Sequence, residues 1–203
     1  VSGIANRMTA QVNGLDQASR NANDGISVVQ TAQGALNEIN DNLQRVRELT
    51  VQAANGTNTS ADLSSIQAEI NQDMSEINRV SAQTQFNGLT ILATSGSMSL
   101  QIGANDGQTI TINMQKMNAS ALGVASSTTS TTTLATTSVT IDVTKFKTIG
   151  NTAGTISTTG ASNTYLATID AAIKSVDSLR GQMGAVQNRL DSTITNLNNT
   201  DTN

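Results

Sequence analysis

The sequence predicts a mainly α-helical protein: an elongated, coiled-coil-like bundle of three helices, two N-terminal and one C-terminal, with a packed β-hairpin and a small Ser/Thr-rich insertion. Three observations support this prediction. Apolar residues recur at heptad spacing near both ends of the chain, and an alternating apolar pattern lies between those regions. The 203 residues contain no proline and only 1% aromatic residues, so a thin aliphatic seam suits the composition better than a thick globular core.

The first predicted helix covers about residues 2–54. One row of residues recurs every seven positions, and a second row follows three positions after each member of the first. The rows are Met8, Leu15, Ala22, Val29, Leu36 and Leu43, and Ala18, Gly25, Ala32, Ile39, Val46 and Ala53. This repeat predicts a helix that packs one face on partner helices. Gly3, Gly14 and Gly25 are spaced by eleven and share a face, so close approach of another segment or chance would each explain them.

A second helix is predicted over about residues 60–82. Asn55-Gly56 should end the first helix, and Thr59-x-x-Asp62 has the form of a capping box that begins the next one. The apolar positions of this helix follow the same repeat: Leu63, Ile66, Ile70, Met74, Ile77 and Val80. Because the connecting loop is short, the two helices should be antiparallel.

The period changes after this helix. An Asn-Gly turn in "FNGLTIL" precedes a short strand-like run, and two alternating segments follow, "MSLQI" and "TITINM", separated by the loop "GANDG". This pattern predicts a β-hairpin over about residues 97–114 with one apolar face. A lone hairpin is marginal in water, so it should pack against the helices.

Residues 125–164 are predicted to be a variable surface insertion, flexible or with small β elements. Ser, Thr and Gly dominate this stretch, and only Val139, Ile141 and Val143 indicate one or two weak strands. A solvated linker or a surface for O-linked sugars would each fit the hydroxyl tract, whose first residues are Ser126, Ser127, Thr128, Thr129 and Ser130.

The third helix is predicted over about residues 165–199. Its repeat contains Ile169, Val176, Met183, Leu190 and Leu197, with Ala172, Leu179 and Val186 three residues on. Residues 1–124 and 165–203 therefore form the predicted helical core domain.

Several classes of function are disfavoured by composition. The chain has no histidine and no cysteine, which removes the commonest general base and the commonest soft metal ligands. Its formal net charge is −4 without a basic run, so nucleic acid is not an expected partner. No apolar stretch approaches the roughly 20 residues that cross a bilayer. Asp106 is an isolated carboxylate in a turn, short of a calcium loop. We expect no enzymatic activity, no cofactor and no metal.

Whole phrases of the sequence resemble bacterial flagellin. "QASRNANDG…VQAANGTN", "DLSSIQAEINQ" and "INRVSAQTQFNGLTIL" resemble its N-terminal conserved region, and "LQIGANDGQTI" resembles the hairpin that follows. "IDAAIKSVDSLRGQMGAVQNRL" and "STITNLNNT" resemble its C-terminal helix. The resemblance covers about residues 1–124 and 166–200.

This resemblance implies a secreted, extracellular structural subunit of the flagellar filament, which serves motility and is exported by the flagellar secretion apparatus. Other flagellin subunits, an export chaperone and the filament cap are the implied partners of a full-length protein. The alternative is a hook–filament junction protein, which shares the helical ends. Some flagellins carry a zinc peptidase in the variable region, but its paired histidines are missing here.

The resemblance also implies further terminal helical segments, which form the inner tube of the filament. The sequence, which begins at "VSGIANR" and stops after "NLNNTDTN", does not include these segments. The expectation is therefore a core fragment that stays monomeric and does not polymerise.

The stretch "LQRVRELTVQ" carries a further implication. Arg45, Leu49 and Gln52 share a face off the helix seam, where an arginine beside an exposed apolar side chain has the composition of a binding hot spot. In flagellins that animals detect, the resemblance places the contacts of the flagellin-specific Toll-like receptor of innate immunity on Arg45, Leu49 and Glu69. Gln44 and Gln52 are expected to join them. Without such a partner, the face would be a solvated helix surface.

Overall fold

Three long helices dominate the structure, as predicted. The computed structural model describes residues 2–126, 139–146 and 158–202. The helices are α1 (Ser2–Ala53), α2 (Ser60–Gln83) and α3 (Thr158–Thr202). α3 begins earlier than the predicted residue 165, inside the Ser/Thr-rich stretch, because hydroxyl residues reduce helix propensity only modestly and an established helix propagates through them. None of the helices in these ranges has the length and apolar character that crossing a membrane requires.

Within the described ranges, the strands form three two-stranded sheets. They are β1 (Gln85–Phe86), β2 (Leu89–Thr90), β3 (Gly96–Gln101), β4 (Thr109–Met114), β5 (Val124–Ser126) and β6 (Val139–Ile141). The predicted hairpin is confirmed as the antiparallel pair β3–β4, in which Met98 lies opposite Ile112 and Leu100 opposite Ile110. β1 and β2 form a smaller hairpin whose turn residues Asn87 and Gly88 both have positive φ, 50° and 83°. Two such residues in succession match the twist of the flanking strands.

The chain divides into two compact units. One comprises Val1–Gly34, Thr84–Gln115 and Leu179–Asn203. Its core joins α1, β4 and α3 through Ala22, Ile110 and Leu190, with Leu100 packed against them. The predicted seam is confirmed for α1 from Ala18 onward, but Met8 is 65% exposed. The prediction for Met8 was wrong because periodicity shows which face could be buried and not whether a partner covers it.

Gly25 lies at the closest approach in this unit. A Cβ atom built on Gly25 would overlap Leu100 Cδ1 and come within 3.0 Å of Leu190 Cδ1, while one on Gly14 would lie 3.2 Å from Ala104 Cβ. Nothing lies within 4 Å of such an atom on Gly3. The shared glycine face is therefore used for close packing at two of its three positions, and the neighbours are hairpin and α3 side chains.

Gly25→Ala should lower the free energy of unfolding by about 1 kcal/mol. Overpacking against a buried leucine costs about 1–3 kcal/mol, which exceeds the gain of roughly 1 kcal/mol in helix propensity. Gly34→Ala is the matched control, since a Cβ there meets nothing within 4 Å, and it should stabilise by about 0.5–1 kcal/mol. Urea unfolding of both variants checks the pair; equal shifts of the same sign would contradict the packing argument.

The second unit comprises Ala35–Gln83 and Lys116–Ser178. Here the second half of α1, α2 and the first half of α3 bury their predicted seams: Leu36, Ile39, Leu43, Val46, Leu63, Ile70, Ile77, Ile169 and Val176 are at most 1% exposed. An ion pair of 2.8 Å between Arg47 and Asp170 joins α1 to α3.

Part of the predicted surface insertion belongs to this core. β6 pairs in parallel with β5, and Ile141, Val143 and Phe146 are at most 3% exposed. Val143, predicted in a strand, begins a 3₁₀ turn (Val143–Lys145) that Asp142 caps by accepting the Thr144 N–H. The small β element expected in the insertion is present as β6, but the surface prediction was wrong for Ile141, Val143 and Phe146, which are buried. The predictions for 127–138 and 147–157 lie outside the described residues.

One buried side chain holds the returning segment on α2. Gln67 is 4% exposed; its Nε2 donates to the carbonyl of Ile141 (2.9 Å) and to Asn71 Oδ1, and its Oε1 accepts the N–H of Val143 (2.8 Å). The Gln67 side-chain amide thus pairs with the Ile141 carbonyl and the Val143 N–H, two backbone groups at the point where the chain leaves β6.

Candidate functional site at the α1–α2 turn

The loop between α1 and α2 is ordered by a single asparagine. Asn58 Nδ2 lies 2.8, 3.2 and 2.8 Å from the carbonyl oxygens of Gln52, Ala53 and Asn55, at the end of α1, where helical carbonyls lack their usual intrahelical partners. α1 ends at Ala53, beside the predicted Asn55-Gly56 stop, but Gly56 does not have positive φ and the Asn58 side chain caps the helix end. Sequence reasoning missed Asn58 because a side chain that reaches back several residues has no fixed motif.

The predicted capping box is confirmed at the start of α2. The Thr59 N–H donates to Asp62 Oδ2 (2.9 Å) and the Asp62 N–H donates to Thr59 Oγ1 (3.1 Å). The bond from the Thr59 backbone, helped by the Thr59 side chain, holds the pKa of Asp62 below its ordinary value. The turn is therefore fixed at both helix ends.

Asp62→Ala should lower the melting temperature at neutral pH, and the difference should disappear in strongly acidic buffer. A pKa lowered by folding contributes stability above the unfolded pKa, which is lost as pH falls through the folded pKa. Calorimetry from neutral to acidic pH measures the gap between parent and variant. Ser64→Ala, at an exposed position on the same helix, should show a small gap independent of pH; a constant gap for Asp62→Ala would refute this role.

A groove with a volume of about 400 Å³ lies beside this turn. We call it the turn groove. It is lined by Arg45, Leu49, Gln52, Asn58, Asp62, Ser65, Ile66 and Glu69. Five residues of this chain were predicted to contact the receptor. Arg45, Gln52 and Glu69 are exposed on the turn groove, and Leu49 also lines it. Gln44 is exposed but lies outside the turn groove.

Arg45 is the electrostatic centre of the turn groove. Its Nη1 donates to Glu48 (3.1 Å) and its Nη2 donates to Glu69 on α2 (3.2 Å). The hydrogen bond to Glu48 is the main reason that the pKa of Arg45 lies above its usual value. Burial raises the pKa of Asp73, against the opposing positive charge of Arg45, and Asp73 Oδ2 accepts no hydrogen bond from the described residues. Arg45 therefore lies among several carboxylates, and two of them, Glu48 and Glu69, accept its hydrogen bonds.

Leu49 does not have the predicted exposure. It is 1% exposed, whereas Val51, also off the seam, is 48% exposed. The prediction of an exposed leucine was wrong because α1 packs on two helices in this unit, which widens its buried stripe beyond one heptad row. Leu49 lies at the floor of the turn groove with Ile66, and the accessible groups are polar.

The possible glycosylation surface lies almost entirely outside the described residues. Ser126 is the last residue of β5, and Ser127, Thr128, Thr129 and Ser130 lie outside the described residues. Asp106 lies in the β3–β4 loop, where Gln101 and Gln108 side chains bond the loop backbone. Across the described ranges, no group of three or more acidic side chains is placed to hold a metal ion.

Models of known protein families match both ends of the chain. A family model of the bacterial flagellin N-terminal helical region matches residues 1–97, and one of the bacterial flagellin C-terminal helical region matches residues 166–203. Phase 2 flagellin of Salmonella typhimurium is 63% identical over 123 residues, 61% of this chain and 24% of that protein. The chain thus spans about a quarter of the length of the curated relatives it matches.

The solved structures with this fold include a flagellin and a hook-associated protein. The crystal structure of Bacillus cereus flagellin covers 88% of both chains with a TM-score of 0.65 and 25% identity. A protein described as a candidate flagellar hook-associated protein from Vibrio parahaemolyticus covers 96% of this chain with a TM-score of 0.71 but 14% identity. The second likeness concerns the fold alone.

Proposed function

The chain belongs to the bacterial flagellin family, and we propose that it forms part of a structural, non-enzymatic subunit of the extracellular flagellar filament. The observation that carries this proposal is that the two matched regions contact each other in both units. Ala22 of α1 meets Leu190 of α3 in one unit, and α1 is paired with α3 through Arg47 and Asp170 in the other. Export chaperone, cap and neighbouring subunits are the partners we propose for the whole protein.

A graft tests the filament proposal. In the graft, this chain replaces the matching segments of the Salmonella typhimurium phase 2 flagellin, and the hybrid is expressed in a strain that lacks filament protein. Electron microscopy should then show filaments, and swimming assays should show motility. Leu36→Asp, which buries a charge in the seam, is the negative control. A graft that is exported and folded but never forms filaments would refute the proposal.

The alternative is a hook–filament junction protein; the likeness to the Vibrio protein shows only that the two share a fold. The 63% identity to a flagellin favours the filament. The two roles separate in the same graft, made in a strain that lacks the junction protein. Rescue there, without rescue in the filament-deficient strain, would establish the alternative.

We also propose that the turn groove is a ligand surface for the flagellin-specific Toll-like receptor. Arg45, Gln52 and Glu69 present charged and amide groups from two helices on one exposed patch, and Arg45 is already oriented by its bonds to Glu48 and Glu69. Preorganised arginine is a frequent anchor at protein interfaces. Leu49 would contribute from beneath by supporting this patch.

Arg45→Ala and Glu69→Ala should each weaken binding to the purified receptor ectodomain about thirtyfold or more, the scale of a binding hot spot. Surface plasmon resonance measures the affinities, after circular dichroism shows unchanged helicity. Arg47→Ala is the matched control because Arg47 lies in the same stretch but pairs with Asp170 outside the turn groove. Absent binding by the parent, or an equal loss for Arg47→Ala, would refute the proposal.

A further inference from the structure

The chain contains three Asn-Gly pairs, at residues 13–14, 55–56 and 87–88. Such pairs deamidate when the glycine nitrogen attacks the asparagine side-chain amide. The structure places the three pairs in different surroundings: Asn13 inside α1, Asn55 in the α1–α2 turn, and Asn87 in the β1–β2 turn. They therefore allow a comparison of one chemistry in three environments within one molecule.

From this comparison we infer that Asn55 is a built-in deamidation site of the folded protein, because the turn supplies hydrogen-bond donors to both oxygens on which negative charge develops. The nucleophile is open: a Cβ built on Gly56 meets nothing within 4 Å, and the Gly56 N–H donates to no acceptor among the described residues. Asn55 and Gly56 are both exposed, so water has access.

The first step needs loss of the Gly56 amide proton. The resulting charge is shared with the Asn55 carbonyl oxygen, which already accepts hydrogen bonds from the backbone N–H of Asn58 (3.2 Å) and from Asn58 Nδ2 (2.8 Å). Donors fixed at an atom that gains charge stabilise the charged state without reorganisation. The Asn58 cap thus favours formation of the nucleophile.

The second step puts charge on the side-chain oxygen. As the Gly56 nitrogen bonds to Asn55 Cγ, Oδ1 becomes an oxyanion, and Oδ1 accepts the Thr57 N–H at 3.2 Å. The Cγ–Nδ2 bond then breaks and ammonia leaves, carrying the proton removed from Gly56. Water opens the cyclic imide at Cγ to give aspartate, or at the Asn55 main-chain carbonyl carbon to give isoaspartate.

The surroundings of the other two pairs differ from those of Asn55. The Gly14 N–H lies within α1, where helical hydrogen bonding occupies it and the helical backbone opposes ring closure. Asn87 and Gly88 are also exposed, and a Cβ on Gly88 would meet nothing within 4 Å. Asn87 is, however, held in a tight turn between paired strands, and no described residue donates to its oxygens. Folding should therefore suppress the reaction at Asn13 and Asn87 but not at Asn55.

The product would change the turn. A new carboxylate at the C-terminal end of α1 opposes the helix dipole. Isoaspartate also lengthens the backbone by one carbon and displaces the carbonyl that Asn58 holds. Ageing of the protein would therefore loosen the loop that forms one side of the turn groove.

The test is incubation of the folded protein in mildly alkaline buffer, with a parallel sample in denaturant. Peptide mass spectrometry and enzymatic isoaspartate detection follow each pair, with Asn55→Asp as the product standard and Asn55→Gln as the unreactive control. In denaturant the three pairs should react at similar rates. In the folded protein, Asn55 should react no more slowly than in denaturant, while Asn87 and Asn13 should slow several-fold.

Asn58→Ala separates activation by donors from simple exposure. If the donors matter, the variant should slow the reaction at Asn55 and leave Asn87 unchanged. Faster reaction in Asn58→Ala, or an Asn55 rate in the folded parent suppressed as strongly as that of Asn87, would overturn the inference.

Discussion

Gln67→Leu should lower the free energy of unfolding by about 2–6 kcal/mol and release residues 139–146 from α2. The substitution leaves the Ile141 carbonyl and the Val143 N–H without the partners that Gln67 gives them, and each buried backbone group left unpaired costs about 1–3 kcal/mol. Leucine fills a similar volume, so the loss reports hydrogen bonding rather than a cavity.

A spectroscopic probe for this effect is present in the chain. Tyr165 is the only tyrosine and there is no tryptophan. Its ring stacks on Phe146 with centroids 5.7 Å apart, and its hydroxyl donates to the carbonyl of Asp142 (3.1 Å). Burial is the main reason that the pKa of Tyr165 lies above its usual value. Near-ultraviolet circular dichroism therefore reports docking of this segment specifically.

Gln72→Leu is the matched control, because Gln72 is exposed on the same helix and should change stability by no more than about 0.5 kcal/mol. Gln67→Leu should flatten the tyrosine signal under native conditions, and Gln72→Leu should preserve it. A Gln67→Leu variant with parental stability and an intact tyrosine signal would show that apolar packing alone holds the segment.

Leu49→Ala should lower the free energy of unfolding by about 2–5 kcal/mol, the range for a buried leucine truncated in a packed core. Val51→Ala, two residues along the same helix, removes a side chain that is 48% exposed and should change stability by no more than about 0.5 kcal/mol. Chemical unfolding followed by circular dichroism measures both. Equal effects would mean that Leu49 is not packed as described.

The same pair bears on receptor recognition. If Leu49 supports the turn groove from beneath, Leu49→Ala should weaken receptor binding together with stability, whereas Arg45→Ala should weaken binding at parental stability. Weak binding by a Leu49→Ala protein of parental stability would instead assign Leu49 a direct contact.

The sequence alone predicted the helices, the β3–β4 hairpin and the capping box. Each depends on residues close together in the chain: heptad rows such as Leu63, Ile70 and Ile77, the alternation in "TITINM", or the reciprocal bonds of Thr59 and Asp62. Local spacing fixes such elements because their hydrogen bonds and apolar faces repeat over three to seven residues.

The composition of the turn groove was predicted only in part. Arg45, Gln52 and Glu69 are brought together as expected, because α2 folds back on α1 after a short loop. Asn58 was missed, and Leu49 was placed on the wrong side of the surface. Asn58 was missed because no fixed motif describes a side chain that reaches back to the preceding helix end. Leu49 was misplaced because its burial depends on a second partner helix.

Most of the secondary structure, the family and the chemical groups available at the turn follow from the sequence, since periodicity and residue type require no knowledge of distant contacts. Tertiary structure decided what is buried: Met8 is exposed on the predicted seam, Leu49 is buried off it, and residues 139–146 enter the core through Gln67, more than seventy positions earlier in the chain. The physical reason is that burial depends on which surfaces meet, and a contact between distant segments leaves no periodic signal in either of them.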